Sequence, residues 1–419
     1  MNTESQTSSM EDILLDTKIQ PEKPARGESL HPIMRAFGRA QYGQLTVQGP
    51  DGRIHKFVGP QIGAAADLQI HDWSALDRFI TKGETGFAEA YMEGLWDSRD
   101  LVSLLVFGLA NAEVLERYFY GRPIYAFFTY LTSVLRTNTI RKSRQNVQAH
   151  YDLGNDFYKL WLDESMTYSC GLFGGEIDMT LEDAQQAKYN RILTKLGAKA
   201  GDHILEIGCG WGAFAMAAAR KGIKVTGVTI SDEQKALAEE RIKQAGLEEY
   251  AQIRLIDYRQ VEGVFDHIVS IGMFEHVGEQ YWPTYFDTVK ARLRPGGKAM
   301  IQSITIDEHV FERTHDKQGF IETYIFPGGM LPSRPVFRSH VERAGLVCKE
   351  MFTFGQDYAR TVGHWMARFN AHEAEVRKLG YNEHFIRMWR FYLSSCIAAF
   401  TTARTDVMQA EITHAKDAV

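Results

Sequence analysis

Cysteine is scarce in this sequence of 419 residues, and no two of its four cysteines form a CxxC pair. Neither a disulfide framework nor a zinc site is indicated, because both need cysteines at characteristic close spacings. Unpaired thiols are typical of a protein that works in a reducing compartment. The four are Cys170, Cys209, Cys348 and Cys396.

Long hydrophobic runs are also missing. The longest, IYAFFTYLTSVL at residues 124–135, is far shorter than the ~20 residues that a transmembrane helix requires. The N-terminus, MNTESQTSSMEDILLDTK, has neither a basic segment nor an apolar core, which argues against a secretory signal. The sequence therefore predicts a protein that is soluble or attached to a membrane surface.

Basic residues are in the minority, 47 against 53 acidic residues, and the net charge of −6 does not indicate a nucleic-acid-binding protein. One aromatic-rich segment, residues 117–150, reverses this sign, because it has no Asp or Glu. Two interpretations stay open: a helix at a membrane interface, or a core helix followed by a basic linker. The basic residues of the segment are Arg117, Arg122, Arg136, Arg141, Lys142 and Arg144.

The chain has the composition of a globular protein, with 44% hydrophobic and 24% charged residues, and its length predicts two or three domains. Alternating residues around Pro50-Asp51-Gly52 predict a β-hairpin, and GETGFAEAYMEGLWDSRDLVSLL predicts a pair of amphipathic helices. We predict a flexible tail over residues 1–28, a small α/β domain over 29–115, a basic aromatic connecting segment over 116–150 and a large domain over 151–419.

From about Asp202, short apolar strands alternate with helical segments. The strands are HILEIG, KVTGVTI, AQIRLID, DHIVSIG and KAMIQSI. Such alternation predicts an α/β fold with a parallel, doubly wound, Rossmann-like sheet. Beyond Pro332 the pattern predicts mainly helix to the end of the chain.

A glycine-rich turn, ILEIGCGWG at residues 204–212, ends the first of these strands. Ligands bind at the carboxyl ends of such strands, and glycine lets the backbone approach them closely. A dinucleotide site would need GxGxxG and an acid about 20 residues later. Here Ala213 replaces the third glycine, and the second strand has no acid before Asp232. The turn instead matches E/DxGxGxG, a pattern of class I S-adenosylmethionine (SAM) methyltransferases.

Longer motifs resemble one family, the cyclopropane-fatty-acid-phospholipid synthases and the related mycolic acid cyclopropane synthases. These motifs are HYDLGNDFYKLWLDESMTYSCGLF, LEIGCGWGAF, GVTISDEQ, SIGMFEHVG, YIFPGGMLPS, FGQDYART and FYLSSC. The matches run in order from about residue 40 to 405, and GMFEHVG and YIFPGGMLPS are far more specific than the glycine turn. The resemblance implies a SAM-dependent catalytic domain over residues 151–419. It also implies addition of a methylene group across a cis double bond of an unsaturated phospholipid acyl chain.

The chemistry implied by the resemblance passes through a carbocation that has to lose a proton. Aromatic faces stabilise a cation without attacking it, and exclusion of water protects it; the chain has 18 Tyr, 24 Phe and 7 Trp that could line such a site. In this family the base is thought to be a bicarbonate ion. The resemblance assigns the ion to Glu275, Cys170, Tyr358 and the backbone of Ile304.

Gln302 departs from the family pattern, in which many members have histidine within HTI. A glutamine amide can donate a hydrogen bond to an anion, but it does not titrate near neutral pH as histidine does. Bicarbonate binding and the form of the product therefore stay open. Simpler roles also stay open: Glu275 could cap the following helix, His276 could bond a backbone carbonyl, and Tyr358 could be a core residue.

Cys396 matches a cysteine that has been assigned as a nucleophile in this family. Transfer to an alkene needs no covalent enzyme intermediate, and Cys396 lies in the apolar run SSCIAAF. We expect a buried side chain that protects the site rather than a nucleophile.

The resemblance implies that three segments and the glycine turn contact SAM. In the absence of a ribose acid, Thr229, Ser231 or Gln234 could bond the ribose diol. The implied SAM-binding residues are Tyr168, Ser169, Glu206, Gly208, Cys209, Gly210, Trp211, Gly212, Thr229, Ile230, Ser231, Gln234, Asp257 and Tyr258.

The resemblance also implies a cytoplasmic protein, peripheral on the inner membrane face, that contacts an anionic membrane surface and could form a homodimer. It favours the membrane-docking interpretation of residues 117–150. Two alternatives remain. Gln302 motivates a SAM methyltransferase that makes methyl-branched or methylene acyl chains, and the fold alone would permit a catalytically silent lipid-binding protein.

Overall fold

The computed structural model describes residues 31–119, 153–315 and 319–417. The predicted tail and almost all of the predicted connecting segment, including the apolar run at residues 124–135, lie outside these ranges. A helix, Ala112–Phe119, runs across the predicted boundary at residue 115. Within the described ranges, no helix combines the length and the apolar character that a membrane span needs.

The first unit contains a four-stranded sheet in the order β2-β1-β3-β4. β1 and β2 pair antiparallel, which confirms the predicted hairpin. Gly52, with φ of 78°, and the Asp51 carboxylate, which accepts from the Arg53 N–H, shape its turn. The strands are β1 Tyr42–Gln48, β2 Ile54–Val58, β3 Gln61–Ile70 and β4 Trp96–Asp97. The helices are α1 Pro32–Phe37, α2 Ser74–Met92, α3 Leu101–Ala110 and α4 Ala112–Phe119.

The second unit contains a seven-stranded sheet in the order β10-β11-β9-β8-β5-β6-β7. The five strands predicted from sequence pair in parallel, and the predicted doubly wound α/β fold class is confirmed. β5 and β6 are almost wholly buried, as expected of parallel strands that are covered on both faces. The five are β5 His203–Ile207, β6 Lys224–Thr229, β7 Ala251–Leu255, β8 Phe265–Ile271 and β9 Leu293–Ile306.

The prediction of mainly helix beyond Pro332 is wrong at two strands, β10 Leu346–Thr353 and β11 Thr405–His414. β11 lies between β9 and β10 and pairs antiparallel with both. Most of its residues are buried, and its sequence does carry the alternation of a strand, because the apolar Met408, Ala410 and Ile412 alternate with polar residues.

The remaining helices cover the sheet and close its carboxyl edge. They are α5 Asn155–Lys159, α6 Leu181–Leu196, α7 Ala213–Ala219, α8 Asp232–Gln244, α9 Trp282–Arg292, α10 Glu308–Thr314, α11 Arg334–Arg343, α12 Gly355–Ala371, α13 Glu373–Lys378 and α14 Glu383–Thr401. Single turns of other helix types occur at Tyr258–Gln260, Phe274–His276, Glu279–Tyr281, Ile321–Ile325 and Ala415–Asp417.

Helix α14 packs against both units. Arg387 on this helix donates to the Tyr91 carbonyl at 2.5 Å, to the Trp96 carbonyl at 2.9 Å and to the Asp97 carboxylate at 2.7 Å. Tyr91, Trp96 and Phe391 also pack ring against ring. The helix that carries Cys396 is therefore fixed to the first unit by its other end.

Candidate active site

The glycine turn after β5 opens a cavity at the carboxyl edge of the sheet. Gly208, Gly210 and Gly212 have φ of 80°, 52° and 80°, in the left-handed region that side chains disfavour. A Cβ on Gly208 would lie 2.7 Å from the Cβ and Cγ of Met273. The N–H groups of Gly208 and Cys209 both donate to the Val228 carbonyl at 3.0 Å, which ties the turn to β6.

A cavity of about 150 Å³ lies above this turn. Twelve of the fourteen predicted SAM-binding residues line it: Tyr168, Ser169, Glu206, Gly208, Cys209, Gly210, Trp211, Thr229, Ile230, Gln234, Asp257 and Tyr258. Gly212 and Ser231 do not line it. Gly212 precedes α7, and the Ser231 hydroxyl caps α8 by accepting from the Gln234 N–H at 3.3 Å.

Several lining residues were not predicted from the sequence. The Arg259 guanidinium donates two hydrogen bonds of 2.8 Å to the Asp257 carboxylate, and this bidentate pair fixes the carboxylate at the cavity wall. Burial lowers the pKa of His276 to about 4, so its imidazole is neutral. Arg259 could have been predicted from the sequence, because it lies two residues after an acidic residue at the end of a strand. The unpredicted lining residues are Met166, Thr167, Tyr189, Ile207, Ala213, Phe214, Val228, Ile256, Arg259, Ile271, Gly272, Met273, His276 and Val277.

Polar atoms in the cavity wall fit a ligand with hydroxyl and ammonium groups. The Thr229 hydroxyl donates to Gln234 Oε1 at 2.7 Å, and both residues line the cavity. Among the residues that the structure describes, buried Glu206 Oε2 has no hydrogen-bond partner, and burial raises the pKa of this carboxyl well above its ordinary value. A ligand donor would relieve that cost. These groups suit the ribose and the amino-acid moiety of SAM.

The six predicted catalytic residues do not line this cavity. They belong to segments that border it, because Cys170 follows Ser169 and Glu275 lies between Met273 and His276. The Gly272 N–H also donates to the Gln302 carbonyl at 3.0 Å. The catalytic candidates therefore form a second group directly next to the cavity wall.

Glu275 is the buried carboxyl of this group. Its Oε1 accepts from the Ile304 N–H at 2.6 Å, and its buried Oε2 has no hydrogen-bond partner within residues 31–119, 153–315 and 319–417. Burial raises the pKa of Glu275 to about 7, although the bond from the Ile304 backbone opposes this shift. Because the carboxylate is held by strand β9, its role is not that of a helix cap. The Ile304 N–H, which the resemblance assigned to the ion, contacts Glu275 instead.

Gln302 is oriented by a chain of side chains across the sheet. Arg191 donates to Gln409 Oε1 at 2.5 Å, and Gln409 Nε2 donates to Gln302 Oε1 at 3.0 Å. The oxygen of the Gln302 amide is thus occupied, which leaves its NH2 group as the donor on the opposite side.

Tyr358 and Cys170 pack together in a small apolar cluster with Phe354 and Val407, and Val407 pairs with Ile304. Burial raises the pKa of Tyr358 and of Cys170 well above their ordinary values, so both are neutral hydrogen-bond donors. Tyr358 also lies near the Glu275 carboxyl, whose negative charge raises the pKa of the Tyr358 hydroxyl further. The catalytic candidates thus combine one carboxyl with neutral donors.

Tyr168 joins the cavity to a group of aromatic rings. Its hydroxyl lies 2.7 Å from the Tyr392 hydroxyl, and its ring centroid lies 5.3 Å from those of Trp161 and Trp365. On the other side of Trp365, at 6.0 Å, lies Tyr358. Aromatic faces thus extend from the cavity to the catalytic candidates.

Comparison with known proteins identifies the family. A family model described as mycolic acid cyclopropane synthetase matches residues 138–410. Tuberculostearic acid methyltransferase UfaA1 of Mycobacterium tuberculosis is 37% identical over 355 residues, 82% of each chain. Cyclopropane-fatty-acyl-phospholipid synthase of Escherichia coli is 38% identical over 343 residues, 80% of this chain and 85% of that protein.

Solved structures agree with these relatives. Mycolic acid cyclopropane synthase CmaA1, complexed with S-adenosylhomocysteine (SAH) and CTAB, is 33% identical, with a TM-score of 0.60 over 64% of this chain and 97% of that chain. Coclaurine N-methyltransferase, at 20% identity and a TM-score of 0.62, shares the fold. The chain belongs to the mycolic acid cyclopropane synthetase family and is a SAM-dependent methyltransferase that modifies lipid.

Proposed function

We propose that the protein is a cyclopropane-fatty-acyl-phospholipid synthase, which adds a methylene group from SAM to the cis double bond of an unsaturated phospholipid acyl chain. The observation that carries the proposal is the Glu275 carboxyl, buried next to the cavity with one oxygen held by Ile304 and the other unpartnered. Ring closure needs a proton acceptor in a site without water, and the Glu275 carboxyl would bind that acceptor.

SAM, when bound, supplies an electrophilic methyl group. The Gly208 to Trp211 turn, the Thr229–Gln234 pair and the Asp257–Arg259 pair form the wall that would hold it. Tyr168 and Ser169 cover the cavity from the segment that leads to Cys170. The chain thereby orients the methyl donor toward the group of catalytic candidates.

The catalytic candidates fit a bicarbonate ion in their donor and acceptor types. Bicarbonate has one O–H group, which needs an acceptor, and further oxygen atoms, which need donors. Glu275 Oε2 is the acceptor, and Gln302 Nε2 and the Tyr358 hydroxyl are the donors. The Cys170 thiol donates to the Gly171 carbonyl at 3.1 Å and would have to turn from it to become a third donor. When bound, the ion would supply a proton acceptor, and Gln302 would hold it without titrating.

Aromatic side chains would protect the carbocation on the acyl chain. Trp161, Trp365 and Trp389 are almost fully buried around Tyr168 and Tyr392. Ring faces attract a cation but offer no lone pair that captures it, and a dry site prevents attack by water. This arrangement favours proton loss over hydration.

A second candidate product is a methyl-branched or methylene acyl chain. Two observations favour it: Gln302 in place of histidine, and the 37% identity to a relative named tuberculostearic acid methyltransferase. Both reactions begin with the same methyl transfer. In ring closure the methyl carbon loses a proton and bonds to the cationic carbon. A methylene chain results if a hydride first shifts to the cationic carbon and the methyl group then loses its proton, and a methyl-branched chain needs in addition a hydride from a separate donor.

Product analysis separates these candidates. Purified protein is incubated with SAM and vesicles of unsaturated phospholipid, and the acyl chains are examined by mass spectrometry with fragmentation. We expect a gain of one CH2 unit with the fragmentation of a ring. The same gain without a ring would establish a methylene chain. In a parallel sample that also contains a reduced nicotinamide as hydride donor, a gain accompanied by two more hydrogens would establish a methyl-branched chain. Unchanged acyl chains would indicate a silent lipid-binding protein.

We also propose that the protein acts at an anionic membrane surface, on the inner membrane face. We further propose that it assembles as a homodimer. The substrate is a membrane lipid, and the basic aromatic segment at residues 117–150 immediately precedes the domain with the site. Most of that segment lies outside the described residues, so its sequence alone supports docking.

Cys396 is not a nucleophile in this proposal. Burial raises the pKa of its thiol to about 12, so thiolate is scarce at neutral pH. We expect Cys396→Ala to retain most of the methyl transfer rate, measured with labelled SAM. Cys170→Ala, the matched control, should be slower because it removes a donor. A loss of more than about a hundredfold in Cys396→Ala with unchanged SAH affinity would restore the nucleophile assignment.

A further inference from the structure

Lys188 is a fully buried lysine that the reaction outlined above does not use. It lies on the buried face of α6, four residues before Ile192 and four after Ala184. Lysine is almost never fully buried unless its charge is compensated. Within the described parts of the chain, no carboxylate lies close enough to form an ion pair with it. The ammonium group of Lys188 is therefore stabilised by neutral groups or by a bound ligand.

The ammonium group of Lys188 contacts a cavity-lining serine. Its Nζ donates to Ser169 Oγ at 2.7 Å, and Gln185, one turn earlier on the same helix, donates to the Ser169 carbonyl at 2.9 Å. Because the Ser169 oxygen accepts from Lys188, the hydroxyl hydrogen is directed elsewhere. Ser169 lines the cavity, so this hydrogen is available to a ligand there.

Four titratable groups surround Lys188: Asp163, Cys170, Tyr189 and Glu206. Asp163 already accepts hydrogen bonds from Ser165 and Thr167. Burial raises the pKa of the Cys170 thiol and of the Tyr189 hydroxyl, so both are neutral. Glu206 lines the same cavity and keeps an unpartnered Oε2.

Lys188 acts on the cavity through the Ser169 hydroxyl, and Glu206 faces it directly. Burial disfavours the charge on each, so a ligand that brings the opposite charge to each group would stabilise both. A zwitterion with an α-carboxylate and an α-ammonium group is such a ligand. We propose that Lys188 is a positioning residue that recognises the carboxylate of the amino-acid moiety of SAM through the Ser169 hydroxyl. This inference rests on the cofactor of the proposed function and not on its lipid product.

Polarisation by a buried ammonium makes the Ser169 hydroxyl a stronger donor than an ordinary serine. The same contact fixes the segment from Tyr168 to Cys170, which links the cofactor wall to the catalytic candidates. Recognition of the carboxylate thus places the methyl donor at a defined distance from the reacting group.

The test compares two adenosine compounds that differ in the amino-acid moiety. SAH carries the carboxylate and the ammonium group, whereas methylthioadenosine lacks both. Calorimetric titration of the full-length protein should show that Lys188→Met weakens SAH binding by about tenfold or more, with methylthioadenosine binding unchanged. An equal loss of affinity for both compounds would show that Lys188 has only a structural role. Unchanged SAH affinity would show that Lys188 has no role in binding, and either result would overturn the proposal.

The pH dependence gives a second readout. Burial lowers the pKa of Lys188 to about 7, although Cys170, Asp163 and Glu206 oppose this shift. The charged form prevails below that pH, so the SAH affinity of the natural protein should fall as the pH rises through 7. In Lys188→Met this change should disappear. An identical pH profile in the two proteins would contradict the proposal.

Ser169→Ala tests the relay if Lys188→Met does not fold, as judged by circular dichroism. This smaller change keeps the buried lysine but removes the hydroxyl that faces the cavity. The same selective loss of SAH affinity is expected, and full SAH affinity would overturn the proposal. Because no lipid is present in these titrations, their outcome is independent of the product analysis.

Discussion

Glu275→Gln is expected to stop product formation while the protein still binds SAH. The Ile304 N–H needs an acceptor, so the glutamine oxygen takes the place of Oε1 and the NH2 group takes the place of the unpartnered Oε2. A donor then faces the O–H of the proposed bicarbonate ion, where an acceptor is needed. Loss of an acid–base arrangement lowers turnover by about a hundredfold or more.

The same substitution should make the protein more stable near neutral pH. Burial raises the pKa of Glu275 to about 7 from the ordinary 4.5. The contribution of the Glu275 carboxyl to the free energy of unfolding is fully present below pH 4.5 and is lost as the pH rises through 7. The reason is that Glu275 releases its proton more readily in the unfolded chain. The loss is about 3 kcal/mol, and glutamine does not suffer it.

Denaturant unfolding at pH 5 and pH 8 measures this difference, with SAH titration as the control for the cavity. An inactive variant that is more stable than the natural protein at pH 8 cannot be explained by misfolding. In the natural protein, turnover should rise between pH 6 and pH 8 as the carboxyl ionises. Normal turnover of Glu275→Gln would remove Glu275 from the mechanism.

Gly208→Ala should weaken SAH binding by between about tenfold and a hundredfold. Gly208 has φ of 80°, and the added Cβ would lie 2.7 Å from Met273, which lines the cavity with it. The turn and the Met273 side chain would both have to move, and the wall against the cofactor would change shape. Titration with SAH measures the loss.

Gly201→Ala is the matched control for this substitution. Gly201 has φ of 91°, so alanine meets a similar backbone strain. No atom of the described part of the chain lies within 4 Å of its added Cβ, and Gly201 does not line the cavity. Both variants should lose thermal stability, and only Gly208→Ala should lose SAH affinity. Equal affinities in the two variants would show that the close contact with Met273 does not shape the site.

Local patterns in the sequence were sufficient for the parallel strands and for the glycine turn. Each of these strands is a short apolar run next to a helix, and three glycines in five residues specify a sharp turn. The same kind of local pattern marks β11, where Met408, Ala410 and Ile412 alternate with polar residues, so the prediction of helix there was wrong on local grounds. The insertion of β11 between β9 and β10 is a tertiary event that no local window contains.

The candidate site was predictable in its types of residue but not in its pairings. Glu275 stands out by its motif, whereas its bond to the Ile304 backbone depends on how two strand ends meet. The burial of Lys188 could have been predicted from the sequence. Lys188 lies with Gln185 and Ile192 on the buried face of α6, and the other residues of that face are mostly apolar. A lysine on that face signals a buried charge.

The position of β11 has a consequence for how the molecule assembles. The cavity is built mainly from strands that are neighbours in sequence, whereas Gln409 on β11 reaches Gln302 only after a segment of some hundred residues has been ordered. Contacts across such a separation form slowly, because the entropy of closing the intervening loop is lost first. During refolding, the crevice for the methyl donor can therefore form ahead of the contact between Gln302 and Gln409. We expect the capacity to bind the donor to return before the capacity to transfer the methyl group.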